Sequence, residues 1–178
     1  MSSLQGKLLV ASAGLFDPNF RRAVVLVGHH DEEGAMGLVL NRPSETTVAE
    51  AVPPLAEIVD PDEQIFVGGP VQPESVMILG EFDDEDAGVA VFANVGFLRG
   101  DSEPEEVAAC VRIRVFAGYA GWGAGQLEAE LEEESWVVLD ARPDDVFGPS
   151  EGLFGAVLRR QGGRYRVLAL LPDDPSVN

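Results

Sequence analysis

Gly148-Pro149-Ser150-Glu151-Gly152 has the G-x-S-x-G spacing of a nucleophile elbow, which raises a serine on a sharp strand-to-helix turn. That chemistry needs a buried strand before the turn and a histidine downstream. Pro143-Asp144-Asp145 precede it instead, and both histidines, His29 and His30, lie far upstream. Ser150 therefore reads as a helix N-cap. His29-His30, followed by Asp31-Glu32-Glu33, carry the donor types of a metal site. Adjacent strand residues point to opposite faces, so the two imidazoles do not share one ion, and no H-E-x-x-H or cysteine pair accompanies them. They read as strand-end histidines, and no metal or other cofactor is expected. Cys110, the single cysteine, reads as a small core residue, because a reactive thiol needs an exposed, electropositive setting.

Other residues have the chemistry of recognition. Gly121, Gly123 and Gly125 follow a strand and open a helix, so their amides could face an anion. The spacing is G-x-G-x-G rather than the dinucleotide fingerprint, Glu128 and Glu130 follow at once, and the only lysine is Lys7. A structural turn that pins Trp122 is the expectation. Gly68-Gly69 could present amides as an anion nest. Arg42, between Asn41 and Pro43, could clamp a carboxylate with its planar fork or tie down loop carbonyls; the second role is expected. Arg159, Arg160, Arg164 and Arg166 form the basic cluster, expected as a solvated helix end where cations complement the dipole.

The elements that position these residues follow from apolar runs cut by Gly, Pro and Asp. Strands are expected at Ala23–Gly28, Met36–Leu40, Gln64–Val67, Ser75–Leu79, Val89–Phe92, Val111–Val115, Trp136–Leu139 and Arg164–Leu171, with a hairpin loop at His30–Gly34. Short helices are expected at Thr47–Val52, after the capping box Ser102–Glu105, at Gln126–Glu134 and at Glu151–Gln161. Strands outnumber helices and short turns join neighbours, which argues for an α+β domain on a mostly antiparallel sheet. No repeat or linker divides residues 1–178, so one domain is expected.

The formal net charge is −19, with acidic clusters at Asp83–Asp86 and Glu132–Glu134. Such a surface repels phosphate backbones and anionic lipid, so neither nucleic acid nor membrane is an expected partner. The lone cysteine fits a reducing cytoplasm. The apolar run Leu8-Leu9-Val10 is too short for a secretory signal.

Gly6–Ala11, Phe16–Phe20, Gly34–Pro43, Val67–Val71 and Gly118–Glu128 with Trp136 together resemble the AlgH/YqgE family of bacterial proteins, over essentially the whole chain. The resemblance implies an α+β fold whose bent sheet forms a pseudo-barrel with short flanking helices. It also implies a cytosolic location and a role as a transcriptional regulator. It brings no catalytic residue with it. The family's motifs fall on Asn41, Arg42, Gly68, Gly69, Tyr119, Trp122 and Gln126, which form the candidate ligand surface. A non-catalytic binding or regulatory domain is favoured, acting through a protein partner rather than on DNA. The alternative is a small-molecule-binding protein or small enzyme, with a pocket where Asn41-Arg42, Gly68-Gly69 and Trp122 converge.

Overall fold

The computed structural model describes residues 3–12, 18, 20–83, 88–98 and 104–161. Its strands are β1 Lys7–Ala11, β2 Val24–Asp31, β3 Gly34–Val39, β4 Pro43–Thr47, β5 Gln64–Val67, β6 Val71–Glu81, β7 Val89–Phe92, β8 Val95–Phe97, β9 Arg112–Gly123 and β10 Trp136–Asp140. Its helices are α1 Val48–Ala51, α2 Pro104–Ala108, α3 Gln126–Glu132, α4 Pro143–Phe147 and α5 Leu153–Gln161. Among these residues the main path of the sheet is β10-β1-β2-β3-β9-β6-β8-β7, with β5 between β4 and β9. Every pairing is antiparallel except β5 on β9. The sheet curls into a half-barrel: Gln5 Nε2 donates to the Ala90 carbonyl at 3.2 Å, bringing β7 back beside β1. The α+β fold with a bent, mostly antiparallel sheet is thus present. No helix among the described residues is long and apolar enough to cross a membrane.

The apolar runs of β1–β3 do not alternate because both faces of the sheet are covered. Leu8, Val10, Val24, Leu26, Leu38 and Leu40 face a core shared with Phe66, Leu79, Phe116 and the apolar side of α4–α5. Leu9, Val25, Val27 and Val39 face a second core that holds Phe20, Trp122, Leu127 and Trp136. A strand's period of two divides each run between the two cores.

The glycine phrase is where the sequence misleads. Residues 118–123, expected as a turn, are the second half of the twelve-residue strand β9. Its first half pairs with β6 and its second with β3. Glycine serves close crossing here rather than chain reversal. A Cβ on Gly118 would lie 2.5 Å from the Gly69 carbonyl oxygen, and one on Gly68 would lie 2.3 Å from the Gly118 carbonyl oxygen. Gly118 is also left-handed, with φ +74°. Residues 72–75 of β6 bulge opposite it, since Val71 pairs with Tyr119 but Val76 with Ala117.

Smaller differences follow from local context. The helix after Thr47 is closed by a capping box with Glu50, as that pair of residues permits. Pro43-Ser44 end β3 but begin the edge strand β4, where proline's missing donor costs little. β8 and α4 are too short to leave a periodic signal. Helix α5 starts at Leu153, not Glu151, and the Leu153 amide donates to the Ser150 carbonyl at 3.1 Å. The Ser102 capping residue and the strand expected at Arg164–Leu171 lie outside the described residues.

Candidate functional site

Asn41 and Arg42 follow β3 and hold the entry to β2. The Asn41 amide accepts from the Val24 amide at 3.0 Å and donates to the Arg22 carbonyl at 2.9 Å. Arg42 Nη2 donates to the Arg21 carbonyl at 2.9 Å. Arg22 sits in the left-handed region with φ +55°, a costly conformation for a non-glycine residue that persists only where neighbours over-determine it. Asn41 and Arg42 fix the two carbonyls around it. The Arg22 guanidinium then lies 4.4 Å from the centroid of the Phe154 ring, in the first turn of α5.

These residues build an open cleft of about 470 Å³ lined by Arg21, Arg22, Asn41, Arg42 and the segment 150–155. Among the described residues its lining carries Arg21, Arg22 and Arg42 with Glu151, on a chain of net charge −19. Two buttresses position its helical wall. Arg114 of β9 donates to the Val146, Phe147 and Gly148 carbonyls at 2.7, 3.2 and 2.9 Å, capping the end of α4. Arg160 of α5 grips the buried Asp145 carboxylate of α4 with two bonds of 2.8 and 3.0 Å. The grip ties α5 to α4 through a bidentate fork.

A second cleft, about 460 Å³, lies beside the β2–β3 hairpin and is lined by His29, Asp31, Glu33, Met36, Tyr119 and Trp122 among others. Its acids give it the opposite sign. His29 Nε2 lies 2.7 Å from Asp31 Oδ2, and this bond holds the Asp31 carboxyl below the usual carboxylate range. Tyr119 is half-buried, and Trp122 is only 6% exposed. Phe20, Trp122 and Trp136 pack ring on ring at centroid distances of 5.7–6.2 Å. One oxygen of Glu130 accepts both indole N–H groups, at 3.3 Å from Trp122 and 3.0 Å from Trp136.

Helix α3 therefore uses its polar side chains for docking. Gln126 accepts the Gly123 amide at 2.9 Å, and Glu128 lies 2.6 Å from Nε2 of the buried His30. That bond holds the Glu128 carboxyl below its ordinary value. His30 Nδ1 accepts the Leu4 amide at 3.0 Å, so the imidazole ties the N-terminal segment to α3.

The candidate residues do not surround one pocket. Asn41 and Arg42 line the arginine cleft, and Tyr119 and Trp122 line the acidic one. Gly68-Gly69 lie against Gly118-Tyr119, where the Gly68 amide donates to the Ala117 carbonyl at 2.9 Å and its carbonyl accepts from Val39 at 2.8 Å. Gln126 stays exposed on α3. Of the expected basic cluster, Arg159 and Arg160 lie in the last turn of α5, while Arg164 and Arg166 lie outside the described residues; Arg21, Arg22 and Arg42 come together elsewhere. The doublet Arg21-Arg22 was the available signal, but its convergence with Arg42 depends on the β2–β3 pairing. Ser150 lines the arginine cleft, while both histidines are bonded elsewhere. Cys110 is half-buried, and burial pushes its thiol up, away from the reactive range. Among the described residues no group of three His, Cys, Asp or Glu could hold a metal.

The family model described as AlgH-like matches residues 8–166. The chain belongs to that family. A UPF0301 protein of Streptomyces coelicolor is 44% identical over 187 residues, covering 100% of this chain and 97% of its own. One from Mycobacterium tuberculosis is 40% identical over 181 residues, covering 97% and 90%. Two solved structures share the fold. The crystal structure of a Corynebacterium diphtheriae protein superposes with a TM-score of 0.87 at 27% identity, over 96% of this chain and 94% of the other. The solution structure of AlgH from Pseudomonas aeruginosa gives 0.75 at 30% identity, over 97% of both chains.

Proposed function

We propose that this AlgH-like protein is a non-catalytic ligand-binding domain of the cytoplasm whose recognition site is the arginine cleft. The observation that carries this reading is the convergence of Arg21, Arg22 and Arg42 in one open cleft of a chain with net charge −19. Like charges gathered against the prevailing sign mark a place for an anion. Asn41 and Arg42 set the backbone that presents the cleft, so the motif positions bind indirectly. The regulatory role implied by the family resemblance is then exerted through a protein partner. Duplex DNA is disfavoured, because non-specific affinity comes from cation–phosphate contacts.

Two experiments test this. A thermal-shift screen against anionic metabolites should find a stabilising ligand, since one at 100 times its dissociation constant adds about 2.7 kcal/mol. A mobility-shift titration on random duplex at moderate salt should show no complex at low micromolar protein. A salt-sensitive shift there would overturn the indirect regulatory reading.

A further inference from the structure

We propose that His30 is a pH-sensitive latch: its neutral ring holds residues 3–6 as a strap across β2 and β7, and a proton taken up at Nδ1 releases that strap.

A β-bulge puts the ring in place. Val27 pairs with Gly37 and His29 with Met36, so β2 holds one extra residue at Gly28. Without it, the period of two would turn His29 rather than His30 to the side of Val25 and Val27. With it, His30 pairs with Ala35 and joins that side, where Leu127 brings in helix α3. The His30 side chain is 4% exposed, against 60% for His29.

The two bonds of the ring fix where its proton sits. The Leu4 amide can only donate, so Nδ1, 3.0 Å away, carries no proton. A neutral imidazole has one N–H, which is then on Nε2 and points at the Glu128 carboxylate at 2.6 Å. An imidazolium donates from both nitrogens. Its charge strengthens the Glu128 bond, but it sets an Nδ1–H against the Leu4 N–H. The bond to the strap is the one that breaks. Among the described contacts of the ring, Glu128 is the titratable group. The strap adds Ser3, whose hydroxyl donates to the His30 carbonyl at 3.1 Å, and β3 adds Ala35. Asp31 on β2 is engaged by His29, and Glu130 on α3 by the two indoles.

The strap closes the half-barrel. The Gly6 amide donates to the Val27 carbonyl of β2 at 2.8 Å, and Gln5 Nε2 reaches the Ala90 carbonyl of β7 at 3.2 Å. Gly6 passes β7 so closely that a Cβ would lie 2.9 Å from both Phe92 Cβ and the Val91 carbonyl oxygen. Leu4 packs against the core that contains Trp122 and Trp136. Losing the Leu4–His30 bond therefore uncovers Leu4 and loosens Gln5 from β7.

The test is an NMR titration of the full chain from about pH 8 to pH 5, where histidines change charge. It follows the ring nitrogens of His30, the Leu4 amide and the side-chain amide of Gln5. At the alkaline end Nδ1 should be the bare nitrogen. On acidification the Leu4 and Gln5 signals should move with the His30 ring through one midpoint, and hydrogen-exchange protection at Leu4 should fall about tenfold. His30→Asn keeps an acceptor near the Nδ1 position and takes up no proton, so the Leu4 transition should vanish. Glu128→Gln removes the carboxylate that favours the imidazolium, so the shared midpoint should move to lower pH; it carries the test should His30→Asn fail to fold. A bare Nε2 in place of Nδ1 would overturn the latch. So would a ring that charges while Leu4 stays protected, or one that stays neutral until the whole chain unfolds. A Leu4 transition that persists in His30→Asn, or a midpoint unmoved by Glu128→Gln, would overturn it equally.

Discussion

The arginine cleft and the acidic cleft are nearly the same size, about 470 and 460 Å³, and they lie at opposite ends of the β2–β3 hairpin. Their polar groups are arranged differently. In the acidic cleft they pair with one another: His29 bonds Asp31, and Asp31 accepts the Glu33 amide at 2.8 Å. Its floor is aromatic, and Trp122 turns its indole N–H away to Glu130. In the arginine cleft the described lining brings Arg21, Arg22 and Arg42 to the N-terminal side of α5, on a backbone fixed by Asn41 and Arg42. The more conspicuous phrase, four glycines around a tryptophan, builds packing and a strand crossing. The plainer doublet Arg21-Arg22 lines a shaped cleft.

Substitutions can break this contrast, and the largest effect is expected at the acidic cleft's floor. Trp122→Ala should cost about 3–5 kcal/mol, because a nearly buried indole leaves a cavity. Chemical denaturation measures this. An unchanged midpoint would move Trp122 from packing to a binding surface. Next in size is Arg42→Lys. Lysine cannot reproduce the fork that holds the Arg21 carbonyl, so a loss of about 1–3 kcal/mol is expected. A stable Arg42→Lys protein that no longer responds to a ligand found in the anionic-metabolite screen would make Arg42 a ligand contact instead.

Acid should act on the hairpin side. The His30 bond holds the Glu128 carboxyl below its ordinary 4.5, and the His29 bond holds Asp31 below 3.8. Both folded-state values are depressed, so the stability they contribute is present above the ordinary values and is lost as pH falls through the folded ones. Denaturation midpoints should therefore drop on the acid side of pH 4.5, and Glu128→Gln should flatten that limb. A variant limb as steep as that of the parent would show that His30–Glu128 does not couple α3 to the sheet. Salt should have the smallest effect on stability. Screening the self-repulsion of a −19 chain should raise the midpoint slightly between about 0.05 and 0.5 M salt. A midpoint that falls over that range would show that attractive ion pairs outweigh the net repulsion.

Much of the fold was legible in the chain. The runs at Ala23–Gly28 and Met36–Leu40 are strands because apolar stretches between Gly and Pro cannot face water on either side. Thr47, where a helix was expected to start, carries a start signal that operates within a few residues through Glu50. The site was less legible. Asn41 and Arg42 stood out by type and position, but not the Arg21 and Arg22 carbonyls that they bind some twenty residues upstream.

Local chemistry was decided by sequence alone: which segments extend, where short helices start, and that Cys110 has no partner cysteine. Each depends on neighbours within a turn or on total charge. The tertiary structure alone decided that Gly118 crosses Gly68-Gly69 inside a strand, that Glu130 serves two indoles, and that three arginines meet Phe154 in one cleft. The physical reason is that these contacts join segments far apart in the chain. Their geometry is set by strand order and by the curl of the sheet, and neither is written in any local pattern.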